Sequence, residues 1–231
     1  MNMPARLSVV GELERADHFH LPADASCYFW GEYTSQDHLN GAAPWAFSPT
    51  NGLIFNFKKK LDRRGFPDWP YKQQAIQQVA QQFARSWKWG ELQQYQPALV
   101  PIPPSKARND PMYDSRMTEM LTQLMAEVQR NLPAGTNMTM SLRDCLSFDG
   151  TCAASHQSAE RPSPERLYNA LSFDPIIGRP HDKPGVIMLY DDVLTTGAHY
   201  VAATRRLAEA YPGVKIVGQF VARRRIPNPF G

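Results

Sequence analysis

The chain is poor in cysteine, with three in 231 residues. Cys27, Cys145 and Cys152 are odd in number and form no Cys-x-x-Cys pair. That excludes a disulfide framework and a thiolate zinc site, and leaves small buried or loop thiols. Long apolar runs are also missing, so no bilayer-spanning helix and no membrane partner are predicted. The opening stretch, MNMPARLSVVGELERADHF, lacks the basic, apolar and small-residue order of a signal peptide. A cytoplasmic location is the default expectation. Net charge is low, at +3. Such a value suits an anionic small ligand and by itself does not favour nucleic acid as a partner. Two local basic runs, Lys58-Lys59-Lys60 with Arg63-Arg64 and Arg223-Arg224-Arg225, read first as solvated faces. Their rival reading is contact with nucleic acid or polyphosphate.

What is present describes a folded chain. Hydrophobic residues make up 42% and charged residues 20%, which argues against disorder. The length allows one large domain or a domain with an appendage. CYFWGEYTS (27–35) and GLIFNFKK (52–59) read as β-strands. A helix is expected after Trp69-Pro70, because Ile76, Val79, Phe83 and Trp87 fall at helical spacing. Leu99–Ile102 reads as a short buried strand broken by Pro103-Pro104. A second helix, from about Tyr113 to Arg130, carries the stripe Met117, Met120, Leu121, Leu124 and Val128. A weak strand is expected at 138–142. The stretch from 144 to 184 has poor periodicity and reads as a long functional or mobile loop. A strand, a helix from about Gly197 to Tyr211 and a last strand, 214–222, complete the pattern. Strands alternating with helices predict an α/β fold with a mostly parallel twisted sheet flanked by helices. In such sheets ligands sit beyond the carboxyl ends of strands. The loops 103–111, 143–150 and 191–199 should therefore converge on one site.

Residues 186–198, VIMLYDDVLTTGA, are the most informative segment. An apolar strand delivers Asp191 and Asp192 at its carboxyl end. A helix starting near Gly197 points free N–H groups at the same spot, which is an anion site. Ionised carboxylates only accept hydrogen bonds and suit sugar hydroxyls. The expected ligand is a phosphorylated sugar. The competing reading is an ordinary buried strand ending in a polar turn.

This segment resembles the phosphoribosyl-pyrophosphate (PRPP) motif of type I phosphoribosyltransferases. The resemblance implies a type I phosphoribosyltransferase-like fold with a variable N-terminal hood, here residues 1–50, and an α/β domain over 51–231. It implies that Asp191 and Asp192 hold the ribose hydroxyls. Val193, Leu194, Thr195, Thr196, Gly197, Ala198 and His199 complete the PRPP-binding stretch, with the phosphate loop at 195–198. His199 stands where many members have Thr, and it can still donate to phosphate. The segment VPIPPSKARND occupies the place of the family's pyrophosphate loop, which implies roles for Pro104, Ser105, Lys106 and Arg108. Its competing reading is a solvent-exposed Pro-rich turn.

The stretch 156–174 resembles the flexible catalytic loop of the ComF-like branch at Gln157, Glu165-Arg166, Asn169 and Phe173. By that likeness Arg166 reaches the pyrophosphate. Otherwise it is a surface loop whose Arg166 pairs with Glu165. The ComF-like resemblance runs over about residues 50–222, and the cysteine-rich zinc module of those relatives is missing.

The implied activity is a pentosyltransferase reaction: transfer of the phosphoribosyl group from PRPP to a nitrogen acceptor, with pyrophosphate leaving. Mg²⁺ is the implied cofactor, held through the substrate near Asp191 and Asp192 rather than by dedicated side chains. Lys106 and Arg166 would neutralise the leaving group. Thr195 stands where some relatives keep an acidic base, so no general base is obvious. The alternative function is a PRPP- or nucleotide-sensing module without transferase chemistry, or a component of a nucleic-acid-linked assembly. A homodimer is expected. The aromatics Tyr28, Phe29, Trp30, Tyr33 and Trp45 read as β core before they read as base-stacking groups. His18 and His20, beside Asp17, form only a weak metal motif.

Overall fold

The computed structural model describes residues 6–133, 135–136, 138–151 and 162–227. Six strands form the main sheet: β1 (Ser8–Val9), β2 (Cys27–Thr34), β3 (Ala98–Pro101), β4 (Ser141–Leu142), β7 (Val186–Leu194) and β8 (Lys215–Arg225). Their spatial order is β1-β2-β8-β7-β3-β4. All adjacent pairs are parallel except β1 with β2. β5 (Leu146–Phe148) and β6 (Leu171–Phe173) pair antiparallel in a small separate sheet. The longer helices are α1 (Pro49–Phe57), α2 (Pro70–Ser86), α3 (Arg116–Asn131), α4 (Pro164–Ala170) and α5 (Ala198–Ala210). The chain is thus a mixed α/β protein with a mostly parallel sheet flanked by helices.

Alternation along β7 sorts its side chains into two cores. Ile187 and Leu189 pack with α4, α5 and the small sheet. Met188 and Tyr190 pack with α1, α2 and α3. The expected stripes on α2 and α3 are buried: Ile76, Val79 and Phe83 are fully enclosed, as are Met120, Leu121 and Leu124. Truncating Phe83 to alanine would cost about 3–5 kcal/mol, because it removes both transfer energy and contacts.

Three expectations are corrected. GLIFNF (52–57) is helical and belongs to α1, with Lys58 as its carboxyl-terminal cap. The Ser48 side chain accepts from the Asn51 N–H at 3.0 Å, and Pro49 occupies the first turn. These are strong helix-start signals. Asn51 then holds Thr34 at the end of β2 through its side-chain amide, at 2.8 and 3.2 Å. The stretch 144–184 is not one long loop; it carries β5, α4 and β6. Residue 50 does not separate a hood from the sheet, because β2 lies inside the sheet, parallel to β8. Of the hood aromatics, Phe29 and Trp30 are core, whereas Trp45 is exposed.

Connections define where a ligand fits. From β3 the chain passes through α3 to β4, on one side of β3. From β7 it passes through α5 to β8, on the other side of β7. β3 and β7 are neighbours, so a topological switch point lies between their carboxyl ends. Open parallel sheets bind ligands in such crevices.

Candidate functional site

All three predicted loops meet at this crevice. β3 and β7 run in register, Pro101 beside Tyr190, and the Ile102 N–H donates to the Tyr190 carbonyl at 2.8 Å. Arg108 ties the β3 loop to the chain after β4. It holds the Asp144 carboxylate at 2.7 and 3.1 Å and the Leu146 carbonyl at 3.0 Å. Phe148 meets the His199 ring edge-on at 6.0 Å, linking that chain to the start of α5.

Asp191 and Asp192 lie within β7, not beyond it. Successive side chains of a strand point to opposite faces. Asp191 shares the parity of Ile187 and Leu189, and Asp192 that of Met188 and Tyr190. The two carboxylates therefore have different neighbours. Asp192 is buried and accepts from Lys58 at 3.1 Å and from Arg116 at 2.5 Å. Burial alone would raise its carboxyl, but Lys58 and Arg116 more than offset that and hold it far below the ordinary carboxylate range. Asp191 has no ion pair among the described residues. Its Oδ1 accepts the Asp192 N–H at 2.7 Å. Burial first, then the neighbouring Asp192 charge, pushes its carboxyl up to about 7.

The ion network extends inward. Arg116 also reaches Asp114 at 2.9 Å, and Asp114 accepts from the buried Lys72 at 2.8 Å. Three basic side chains, Lys58, Lys72 and Arg116, thus meet two carboxylates, Asp114 and Asp192. Sequence reading missed Arg116, Asp114 and Lys72, and took Lys58 as part of a solvated run. Lys58 caps the carboxyl end of α1, a position that follows only once that segment is helical.

The phosphate-sized turn is built from Thr195, Thr196 and Gly197. Gly197 has φ +90° and precedes α5. A Cβ there would lie 2.9 Å from the Leu21 side chain and 3.2 Å from its backbone nitrogen, so only glycine fits. The His18 Nδ1 donates to the Thr195 carbonyl, and the His20 N–H donates to the Thr196 carbonyl at 3.0 Å. In a trans peptide the N–H points opposite to the C=O. Anchoring both carbonyls on the 18–20 turn therefore aims the Thr196 and Gly197 N–H groups the other way. The first N–H groups of α5 also lack intrahelical acceptors. Together they gather backbone donors on one side of the turn. Burial lowers the His18 pKa, so it is neutral with its proton on Nδ1. Burial likewise drives His199 down to about 4; it can donate one N–H but carries no charge at neutral pH.

Other predicted residues are placed less favourably. Lys106 is exposed and paired with Asp110 at 3.1 Å. Pro104 and Ser105 are half-buried in the same loop. Arg166 lies in the first turn of α4. Its neighbour Glu165 pairs with Arg205, and Tyr168 contacts Arg206 and Glu209, all near the end of α5. The start of α5 is roughly 10 Å away along its axis. Gln157 and Cys152 lie outside the described residues. The Arg223–Arg225 run is paired locally, Arg223 with Asp17 and Glu32, and Arg225 with Glu32. His18 and His20 do not form a metal site: among the described residues no group of three or more His, Cys, Asp or Glu could hold one. No helix among them is long and apolar enough to cross a membrane. Clefts of about 220 and 260 Å³ lie elsewhere, one between α1 and α2 and one at the amino ends of β3, β4 and β7.

Fold and site together define an α/β protein with a charged, donor-rich crevice at a switch point. No protein-family model matches this chain, and no curated protein matches it.

Proposed function

We propose that this protein binds PRPP at the crevice and transfers its phosphoribosyl group to a nitrogen acceptor, releasing pyrophosphate. The observation that carries the reading is the pairing of Asp191 and Asp192 with the glycine-capped turn at 195–197, all at the carboxyl end of one central strand. The backbone donors of the turn take the 5′-phosphate. Asp191 and Asp192 accept from ribose hydroxyls; each carboxylate has about four acceptor positions, so Asp192 keeps capacity beside its two cations. Lys58 and Arg116 supply positive charge next to the ribose, where the pyrophosphate departs. Catalysis is then mainly positioning and charge stabilisation. Mg²⁺, which prefers phosphate and water ligands, would be carried by the substrate near Asp191 and Asp192 and would supply charge to the departing pyrophosphate.

A second reading, PRPP sensing without transfer, is favoured by one feature. Two of the cations expected for the leaving group are engaged: Lys106 with Asp110, and Arg108 with Asp144.

Calorimetry with PRPP and Mg²⁺, followed by pyrophosphate release with a panel of bases, amines and ammonia, tests both. Binding with turnover is the expected result. Asp191→Asn should weaken binding by about 10- to 150-fold, the value of a hydrogen bond to a charged group. Binding without turnover favours the sensor. Undetectable PRPP binding by the folded wild-type protein overturns both readings.

A further inference from the structure

Among the described residues, five of the seven large exposed aromatic side chains fall between residues 45 and 71: Trp45, Phe47, Phe55, Phe66 and Tyr71. Four of them join in one continuous surface. The Trp45 and Phe55 rings are 5.3 Å apart. The Lys59 ammonium sits 5.9 Å from Phe55 and 5.4 Å from Tyr71. Lys59 and Arg63 share Asp68, at 3.1 and 2.9 Å, and the Arg63 guanidinium lies 4.2 Å over Phe66. A cleft of about 220 Å³ opens beside Tyr71, with the amides of Asn56, Gln74 and Gln78 in its walls.

Charge is concentrated in the same place. Residues 45–72 contain six Lys and Arg against two Asp, a net +4, whereas the whole chain is +3. Lys58, Lys59 and Lys72 are paired with Asp192, Asp68 and Asp114. Lys60, Arg63 and Arg64 stay exposed, with Asp62 exposed among them.

We propose that this aromatic and basic surface over α1 and the start of α2 is a docking track for single-stranded nucleic acid. Exposed rings provide stacking faces for unpaired bases, and the cations follow the phosphate backbone. The amides in the cleft match the donor and acceptor edges of bases. A second copy of the chain fits less well, because a two-fold interface presents the same patch to itself and would set like charges together. A lipid surface fits less well too, because inserting the rings would bury the cleft amides without partners. The proposal does not depend on PRPP binding.

The test is fluorescence anisotropy with a labelled single-stranded oligothymidylate over a salt series. Binding that weakens steeply with salt is expected. Trp45→Ala and Tyr71→Ala should each weaken it by about 5- to 150-fold, as loss of a stacking platform does, with the salt dependence unchanged. Lys60→Gln with Arg64→Gln should lower the log–log salt slope by about 1.4, at roughly 0.7 per lost phosphate contact. All four side chains are exposed, and far-UV circular dichroism checks that the variants stay folded. The proposal is overturned by absent binding at low salt, or by binding indifferent to all four substitutions. Capture by phosphatidylserine vesicles without oligonucleotide binding, or self-association abolished by Trp45→Ala, would also overturn it.

Discussion

Asp191 and Asp192 are adjacent in sequence and opposite in electrostatic character. Asp192 is ionised because Lys58 and Arg116 meet it inside the protein. Its stabilising effect is present above the unfolded carboxylate value of about 4 and fades as pH falls below it. Asp192→Asn should cost about 1–3 kcal/mol in urea denaturation at pH 7, because it removes a buried carboxylate shared by the part-exposed Lys58 and by Arg116, which keeps Asp114. Asp191 behaves in the reverse sense. Its folded value, pushed up to about 7, exceeds the unfolded one. The stability tied to its protonated form is full below about pH 4 and is lost as pH rises through about 7. Asp191→Asn should therefore melt close to wild type at about pH 4 and above it at about pH 8. Equal melting temperatures at both pH values would contradict this assignment. The two aspartates were legible in the sequence as a pair. Their inequality was not, because it depends on which face of the sheet each side chain meets.

Local signals decided the elements wherever they agreed. α2 and α3 carry unbroken apolar stripes and fold as expected. At 52–59 they conflicted: the alternation of GLIFNFKK suggested a strand, and the Ser48-Pro49 cap with Leu53 and Phe57 four apart built a helix. That outcome moves Lys58 to the end of α1, within reach of Asp192. The turn before α5 was readable because Thr-Thr-Gly leads into a helical pattern. What holds it was not: the 18–21 segment binds its carbonyls and packs on Gly197. Gly197→Ala should lose about 2–5 kcal/mol, combining left-handed strain with a clash against Leu21. Urea denaturation with an unchanged m-value would show it, and a loss below about 1 kcal/mol would mean that Leu21 yields easily.

Across the whole molecule, β1 and β2, within the first fifty residues, belong to the same sheet as the candidate site. β2 pairs with β8 from Cys27–Gly218 to Thr34–Arg225. Deleting residues 1–34 would open a long parallel edge and uncover Phe220 and Val221, now buried. Exposed apolar edges associate. The truncated chain should elute as aggregate on size-exclusion chromatography; a soluble species with native far-UV dichroism would show that residues 35–231 fold alone. By itself the sequence determined the α/β class, the stripes of α2 and α3, and the strand–turn–helix around DDVLTTGA, because these follow from spacing, caps and turn residues only a few positions apart. Tertiary structure alone decided that Lys58 and Arg116 neutralise Asp192 and that His18 anchors Thr195. Those contacts join residues 76 to 177 positions apart, and only packing of helices on the sheet brings them together.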